Sequence, residues 1–246
     1  TAGTADLNLV YKAPFNQLDT GRRYIYGTVN VDKGAAAYNP RNLLFKDIKM
    51  LMNFKGEDLF LENLKVKSGT TSLAMEAVLK NFSNFYYTDP QKILIDWKVK
   101  SPNVNLNEFL AFLGKRKQGS NPKGKRFTGN LDKMLEQASM VMEIEVDRLI
   151  YKNFQGKDLR SNITLNQSGI LINRMSIKQG GGSMDIKGNI DQSGTVNRLN
   201  MNSRINNVNV QNLFYAFDNF GQDAITDKNL RGTFFGDASV SGSMLP

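Results

Sequence analysis

The sequence predicts an all-β chain with a few short helices, an elongated, coiled antiparallel sheet built from two tandem hairpin repeats. Three observations predict it. Apolar residues recur with period two rather than 3.6. Turn-forming clusters separate the alternating runs. And one apolar pattern is written twice: SGILINRMSIKQGGGSMDIKGNID (168–191) falls without a gap on EDLFLENLKVKSGTTSLAMEAVLK (57–80), 111 residues earlier.

The first strands are Leu7–Lys12 and Tyr24–Asp32. Ile48, Met50, Met52 and Phe54 then alternate with Lys49, Leu51 and Asn53, and Lys55-Gly56-Glu57-Asp58 turns the chain into the first copy. There Leu59 and Leu61 share parity, while Leu64 and Val66 have the opposite parity across Glu62-Asn63. A regular strand would send the second pair to the solvent face. One extra residue in a β-bulge keeps both pairs on one face and bends the strand. Ser68-Gly69-Thr70 leads to Leu73, Met75, Ala77 and Leu79. A strand Ile93–Lys100 follows, with a helical turn after Asn105, a candidate N-cap, presenting Phe109, Leu110 and Leu113 to the core.

A second helical segment, Leu131–Ala138, precedes the strand Val141–Lys152. The second copy repeats the slip: Ile170 and Ile172 against Met175 and Ile177, across Asn173-Arg174. Gly180-Gly181-Gly182 lies between alternating strands, which makes it a hairpin turn rather than a phosphate cradle. Val196–Ile205 leads to Asn209, a second candidate N-cap, and a helix whose Leu213, Phe214 and Phe217 cover the sheet. Leu230–Ser241 is a further strand. The expected organisation is a single domain, 1–246, with repeat one at 29–113, a basic linker at 114–129, repeat two at 144–217 and the further strand at 230–241.

Composition narrows the chemistry. The 246 residues contain no Cys and no His, which removes disulfides, thiolate metal sites and the commonest general base. No cofactor or metal site is expected. Nucleophile elbow, P-loop and dinucleotide fingerprint are all missing from the sequence. Asp185 and Asp191 sit on solvent-facing strand positions, with nothing that marks either as an acid or base. A carbohydrate-active enzyme would need a carboxylate pair about 5–10 Å apart in an aromatic cleft, and the sequence places none.

The net charge is +9 and favours anionic partners. Lys115, Arg116, Lys117, Lys123, Lys125 and Arg126 crowd GKRKQGSNPKGKRFTG (114–129), so the rest of the chain carries +3. This loop is either a solvated connector or a contact for anionic headgroups. The expected solvated face has Lys but no interleaved aromatic platform, so nucleic acid is not an expected partner. The apolar face has two readings, a closed core or a groove for acyl chains; in the second, Leu59, Leu61, Leu64, Val66, Ile170, Ile172, Met175 and Ile177 contact lipid. The chain starts without Met and stops at SGSMLP, which reads as mid-strand, so it is taken as a fragment or processed form.

The run VDRLIYKNFQGKDLRSNITLNQSGILINRMSIKQGGGSMDIKGNID (146–191) resembles the C-terminal region of AsmA-like proteins. The matching parts are the strand Ile163–Leu165, the G-x-L-x-L-like strand Gly169–Ile172, the small-residue turn Gly180–Ser183 and the strand Met184–Asp191. VNVQNLFYAFDNF (208–220) and LRGTFFGDASVSG (230–242) are similar to the family's helix and next strand. The first copy is similar but more diverged. The N-terminal membrane helix usual in the family is not visible here. The resemblance implies a non-enzymatic module in the periplasm of Gram-negative bacteria, anchored to the inner membrane outside this chain. It implies a part in outer-membrane biogenesis, with phospholipid or another envelope lipid moving along an apolar groove, and possible contacts with envelope proteins. The alternative is a structural or interaction module of the envelope with a closed core and no lipid.

Overall fold

A computed structural model of the chain describes residues 2–12, 24–38, 43–85, 90–112 and 137–244. The described residues are nearly all β. Twelve strands follow one another in the sheet in chain order, without a crossover. Two compact units can be separated: the described residues of Thr1–Ser68, Leu73–Val99 and Arg116–Val141 form one, and those of Gly69–Ser72, Lys100–Lys115 and Met142–Pro246 the other.

The first unit opens with β1 (Ala2–Lys12), β2 (Tyr24–Tyr38), β3 (Leu43–Gly56) and β4 (Asp58–Ser68), paired antiparallel in that order. Directly opposed residues share a face. Leu9 opposes Gly27, which opposes Phe54, and Leu7 opposes Val29, which opposes Met52, in turn opposite Leu61. These rows make one face apolar. Three bulges keep it so. The register gains one residue in β2 near Lys33, one in β3 at Asp47 and one in β4 at Asn63. All three residues are left-handed, with φ between 50° and 52°. Asp and Asn tolerate that conformation because their short polar side chains bond locally. The bulge at Asn63 puts Leu59, Leu61, Leu64 and Val66 on one face, as the parity slip predicts.

At the end of the β3–β4 hairpin a 3-10 turn, Phe82–Phe85, stacks two rings at 5.6 Å and sets Phe82 against Phe54 at 6.1 Å. Leu59, Ala77, Leu79, Phe85, Ile93 and Ile95 are buried there. The last five belong to this turn and to or beside β5 (Thr71–Lys80) and β6 (Leu94–Asn105). Away from this capped end Val29, Met52, Leu61 and Leu64 are half covered, while Val66 is buried.

In the second unit, part of β7 (Ser139–Tyr151) leads to β8 (Phe154–Asn166), β9 (Gly169–Gln179), β10 (Gly182–Asp191), β11 (Asn197–Asn209) and β12 (Thr233–Met244). The register of β9 gains one residue at Asn173 against both neighbours, since Ile172 opposes Ile163 and Gly188 while Met175 opposes Ser161 and Ile186. Ile170, Ile172, Met175 and Ile177 therefore also share a face. Further bulges lie at Asp158 in β8 and Asn207 in β11, both left-handed at φ 52°. Asn173 is not left-handed, so β4 and β9 bulge by different backbone routes.

The one α-helix among the described residues is α1 (Val210–Ala216). Asn209 caps it, its side-chain oxygen accepting the Asn212 amide at 2.9 Å. Gln179 Nε2 donates to the Asn212 carbonyl and the Asn209 amide donates to Gly180 O, which pins α1 to the β9–β10 turn. Ile177, Met184, Ile205 and Val208 of the strands and Leu213 and Ala216 of α1 are buried. Phe217 departs from the expectation of a core residue: it is 44% exposed, with its ring 5.6 Å from Phe154. It follows the last helical turn, so its side chain lies past the covered strands.

The expected helix after Asn105 is a 3-10 turn, Leu106–Phe112. Asn105 does cap it, accepting the Asn107 amide at 3.2 Å. The turn is fixed by Glu108, whose carboxylate accepts the Thr70 amide at 2.8 Å and the Thr70 and Thr71 hydroxyls at 2.7 and 2.9 Å. A side chain at Gly69 (φ 55°) would strike that carboxylate at 2.6 Å. Burial pushes the Glu108 carboxyl up, but these bonds outweigh it and hold the group below its ordinary value of 4.5. A carboxylate with a lowered folded pKa adds stability that is whole above the unfolded value and is lost as pH falls through the folded one. Glu108→Gln is therefore expected to flatten part of the loss of thermal stability below about pH 4.5, and to cost about 1 kcal/mol at pH 7. Thermal denaturation across pH 3–7 checks both.

Candidate functional site: the one-sided apolar faces

The eight residues expected to contact lipid fall into two sets. Leu59, Leu61, Leu64 and Val66 line the apolar face of the first unit, and Ile170, Ile172, Met175 and Ile177 that of the second. Within each set the structure brings the residues onto one face. It also grades them. Leu59, Val66, Ile172 and Ile177 are buried, and Leu61, Leu64, Ile170 and Met175 are half-buried.

The rows extend across the strands. In the second unit Leu165, Ile170, Ile190 and Leu199 stand in register, as do Gly188, Met201 and Val240. Every apolar member of the first row is half-buried, and Val240 in β12 is 56% exposed. The row Met175, Ile186, Ser203, Ala238 steps from large to small side chains. A concavity of about 640 Å³ lies at this row, lined for the most part by residues of the rows on either side, among them Asp185, Lys187, Asn202 and Asp237, whose side chains belong to the opposite face. Ser203 Oγ is buried there without a hydrogen-bond partner. In the first unit Leu7 in β1 is 66% exposed beside the half-buried Val29 and Met52. Chemically, these faces offer contiguous hydrocarbon-like surface with few polar groups, which suits chains of methylenes better than any reaction.

The opposite face is wet. In the second unit it holds Arg160, Asn173, Lys178, Asp185, Lys187, Asn200 and Asn202, all exposed. Asn173 Nδ2 donates to Asn162 Oδ1 at 2.8 Å and to Thr164 Oγ1 at 2.9 Å, one polar ladder among several. In the first unit the sheet corrects the sequence reading. Tyr24 and Tyr26 of β2 and Phe60 of β4 lie on the polar face, interleaved with lysines. Adjacency across strands depends on register, so three aromatics scattered over 37 positions gave no signal. The Lys55–Asp58 turn could have shown that Asn53 opposes Phe60.

Lowered carboxylates accompany tight local bonds rather than a cleft. At Asp58 burial works upward but is outweighed by the Lys80 ammonium and the Asn81 amide. The Lys178 ammonium lowers Asp158, and the Ser193 hydroxyl and amide lower Asp191. Lys115, Arg116, Lys117, Lys123, Lys125 and Arg126 lie outside the described residues, as do Leu113 and nearly all of the helix expected over 131–138. No described helix is long and apolar enough to cross a membrane, a statement that does not extend to strands.

Comparison with protein-family models, curated proteins and solved structures yields no match to this chain.

Proposed function

We propose that the chain is a non-enzymatic lipid-binding β module whose apolar faces hold acyl chains. One observation carries the reading: on each unit part of the face that the bulges keep apolar is only half covered, at Leu61 and Leu64 in the first and at Ile170 and Met175 in the second, and it reaches the exposed Leu7 and Val240. Uncovered apolar surface of this kind marks a binding surface more often than a core. The resemblance of 146–191 to AsmA-like proteins supports the same reading. It adds a periplasmic location, an inner-membrane anchor outside this chain and a part in outer-membrane biogenesis. Phospholipid is the proposed ligand. The closed-core alternative draws on the covered stretch under α1, where Ile177, Met184, Ile205 and Val208 are buried.

The test is Val240→Asp. At 56% exposure the charge stays hydrated, so the melting temperature should move by only a degree or two. Acyl chains would meet a carboxylate, so phospholipid extracted from the purified variant should fall severalfold below wild type. Unchanged lipid, or a wild type that never carries any, returns the face to plain core. The basic loop has its own check. Ser at its six basic positions should leave stability unchanged and weaken binding to anionic vesicles by about 1 kcal/mol per charge close to the surface, most at low salt.

A further inference from the structure

We infer that the polar face of the first unit carries a binding site for an acidic oligosaccharide, built from Tyr24, Tyr26 and Phe60 with Lys12, Lys55 and Lys80. The register places the parts side by side. Lys12 opposes Tyr24, Tyr26 opposes Lys55, and Lys55 opposes Asp58, two residues from the row in which Asn8, Thr28, Asn53 and Phe60 stand in line. Tyr24 and Tyr26 lie 6.4 Å apart along β2, tilted by 35°. The ammonium groups are held at the rings: Lys12 at 5.4 Å from Tyr26, and Lys55 and Lys80 at 4.7 and 5.6 Å from Phe60.

That arrangement is unusual for a merely solvated face. A free lysine spends its reach on rotamer disorder, and holding it over a ring removes part of the entropy that binding an anion would otherwise cost. Tyr26 is 42% exposed, which leaves ring surface for a ligand. The faces of a pyranose ring present C–H groups, and these match the negative face of an aromatic ring. A uronic acid stacked on Tyr26 puts its carboxylate within the span of Lys12 and Lys55. Its hydroxyls meet the Asn8, Thr28 and Asn53 row.

Asp58 decides against nucleic acid. It sits in the patch, bonded to Lys80 at 2.6 Å. A carboxylate accepts sugar hydroxyls, which a uronic acid keeps free on each ring and a deoxynucleotide chain lacks, while its repulsion acts on both polyanions alike. The site is independent of the lipid-binding face, which lies on the other side of these strands, so failure of one leaves the other standing.

The experiment is calorimetric titration of the whole chain with oligogalacturonate, with a neutral gluco-oligosaccharide and oligo-dT of equal charge as comparisons. Wild type should bind the uronate more tightly than oligo-dT, and the neutral sugar only weakly. Tyr26→Ala changes no charge, so it separates stacking from general polyanion attraction, including that of the basic loop. It should weaken uronate binding by about 3- to 10-fold and leave oligo-dT unaffected. Lys55→Gln should weaken binding and lower its salt dependence. The melting temperature should not change in either variant. Three results overturn the inference: no uronate binding at low salt, Tyr26→Ala binding as tightly as wild type, or oligo-dT binding at least as tightly as the uronate.

Discussion

Ile172→Asp is expected to cost the second unit about 3–5 kcal/mol, enough to unfold it at moderate temperature. Ile172 is 8% exposed and stands between Ile163 and Gly188 in an apolar row. The change removes the burial of a branched side chain, about 2 kcal/mol, and puts an unpaired carboxylate in its place. Ile172→Val should cost about 1 kcal/mol, because only a methyl group goes. Denaturant titration checks both when read by a probe within the second unit, because two compact units need not melt together. A loss below about 1 kcal/mol for Ile172→Asp would mean that water reaches this position. The contrast with Val240 is the useful one: on the same face, Ile172 reports packing and Val240 reports access.

Gly188→Ala should destabilise the same unit by about 2 kcal/mol or more, although it adds a single methyl group. The added carbon would lie 2.3 Å from the Asn200 carbonyl oxygen and 2.9 Å from Met201 Cα. Both are backbone atoms of β11, so relief requires the two strands to part rather than a rotamer to turn. Gly181→Ala is the control. Nothing lies within 4 Å of its added carbon, and only the left-handed φ of 83° penalises it, by about 1 kcal/mol. Equal losses at the two glycines would contradict the close approach of β10 and β11 at Gly188.

The strands were legible because alternation survives in each of them. Tyr24, Leu94, Ser139, Asn197 and Thr233 start strands within three residues of where the alternation starts. The bulge in β4 was legible because Leu61 and Leu64 break parity around Asn63. The same parity break stands at Phe45 and Ile48 around Asp47, and at Ile205 and Val208 around Asn207, where the structure also places bulges. The segment after Asn105 shows a limit of another kind. Its apolar spacing suits a helix, but Glu108 is recruited by Thr70 and Thr71, and the tighter 3-10 turn results. The expected lipid-contacting residues were legible as a face, whereas their grading from buried to half-buried depends on where Phe82–Phe85 and α1 close over the strands, which alternation does not encode. The Tyr–Lys platform needed the register of three strand pairs.

The most direct test of acyl chains on the apolar face uses Trp97, the only tryptophan in the chain. It lies in β6 with the parity of the buried Ile93 and Ile95, and its indole Nε1 is buried without a hydrogen-bond partner. Phospholipid brominated along its acyl chains quenches indole fluorescence only on near contact. Acyl chains held on this face should give saturable quenching of Trp97 by acyl-brominated phospholipid and none by soluble bromide at the same concentration. Emission that stays unchanged through the titration, in a protein that also yields no lipid on extraction, would contradict it.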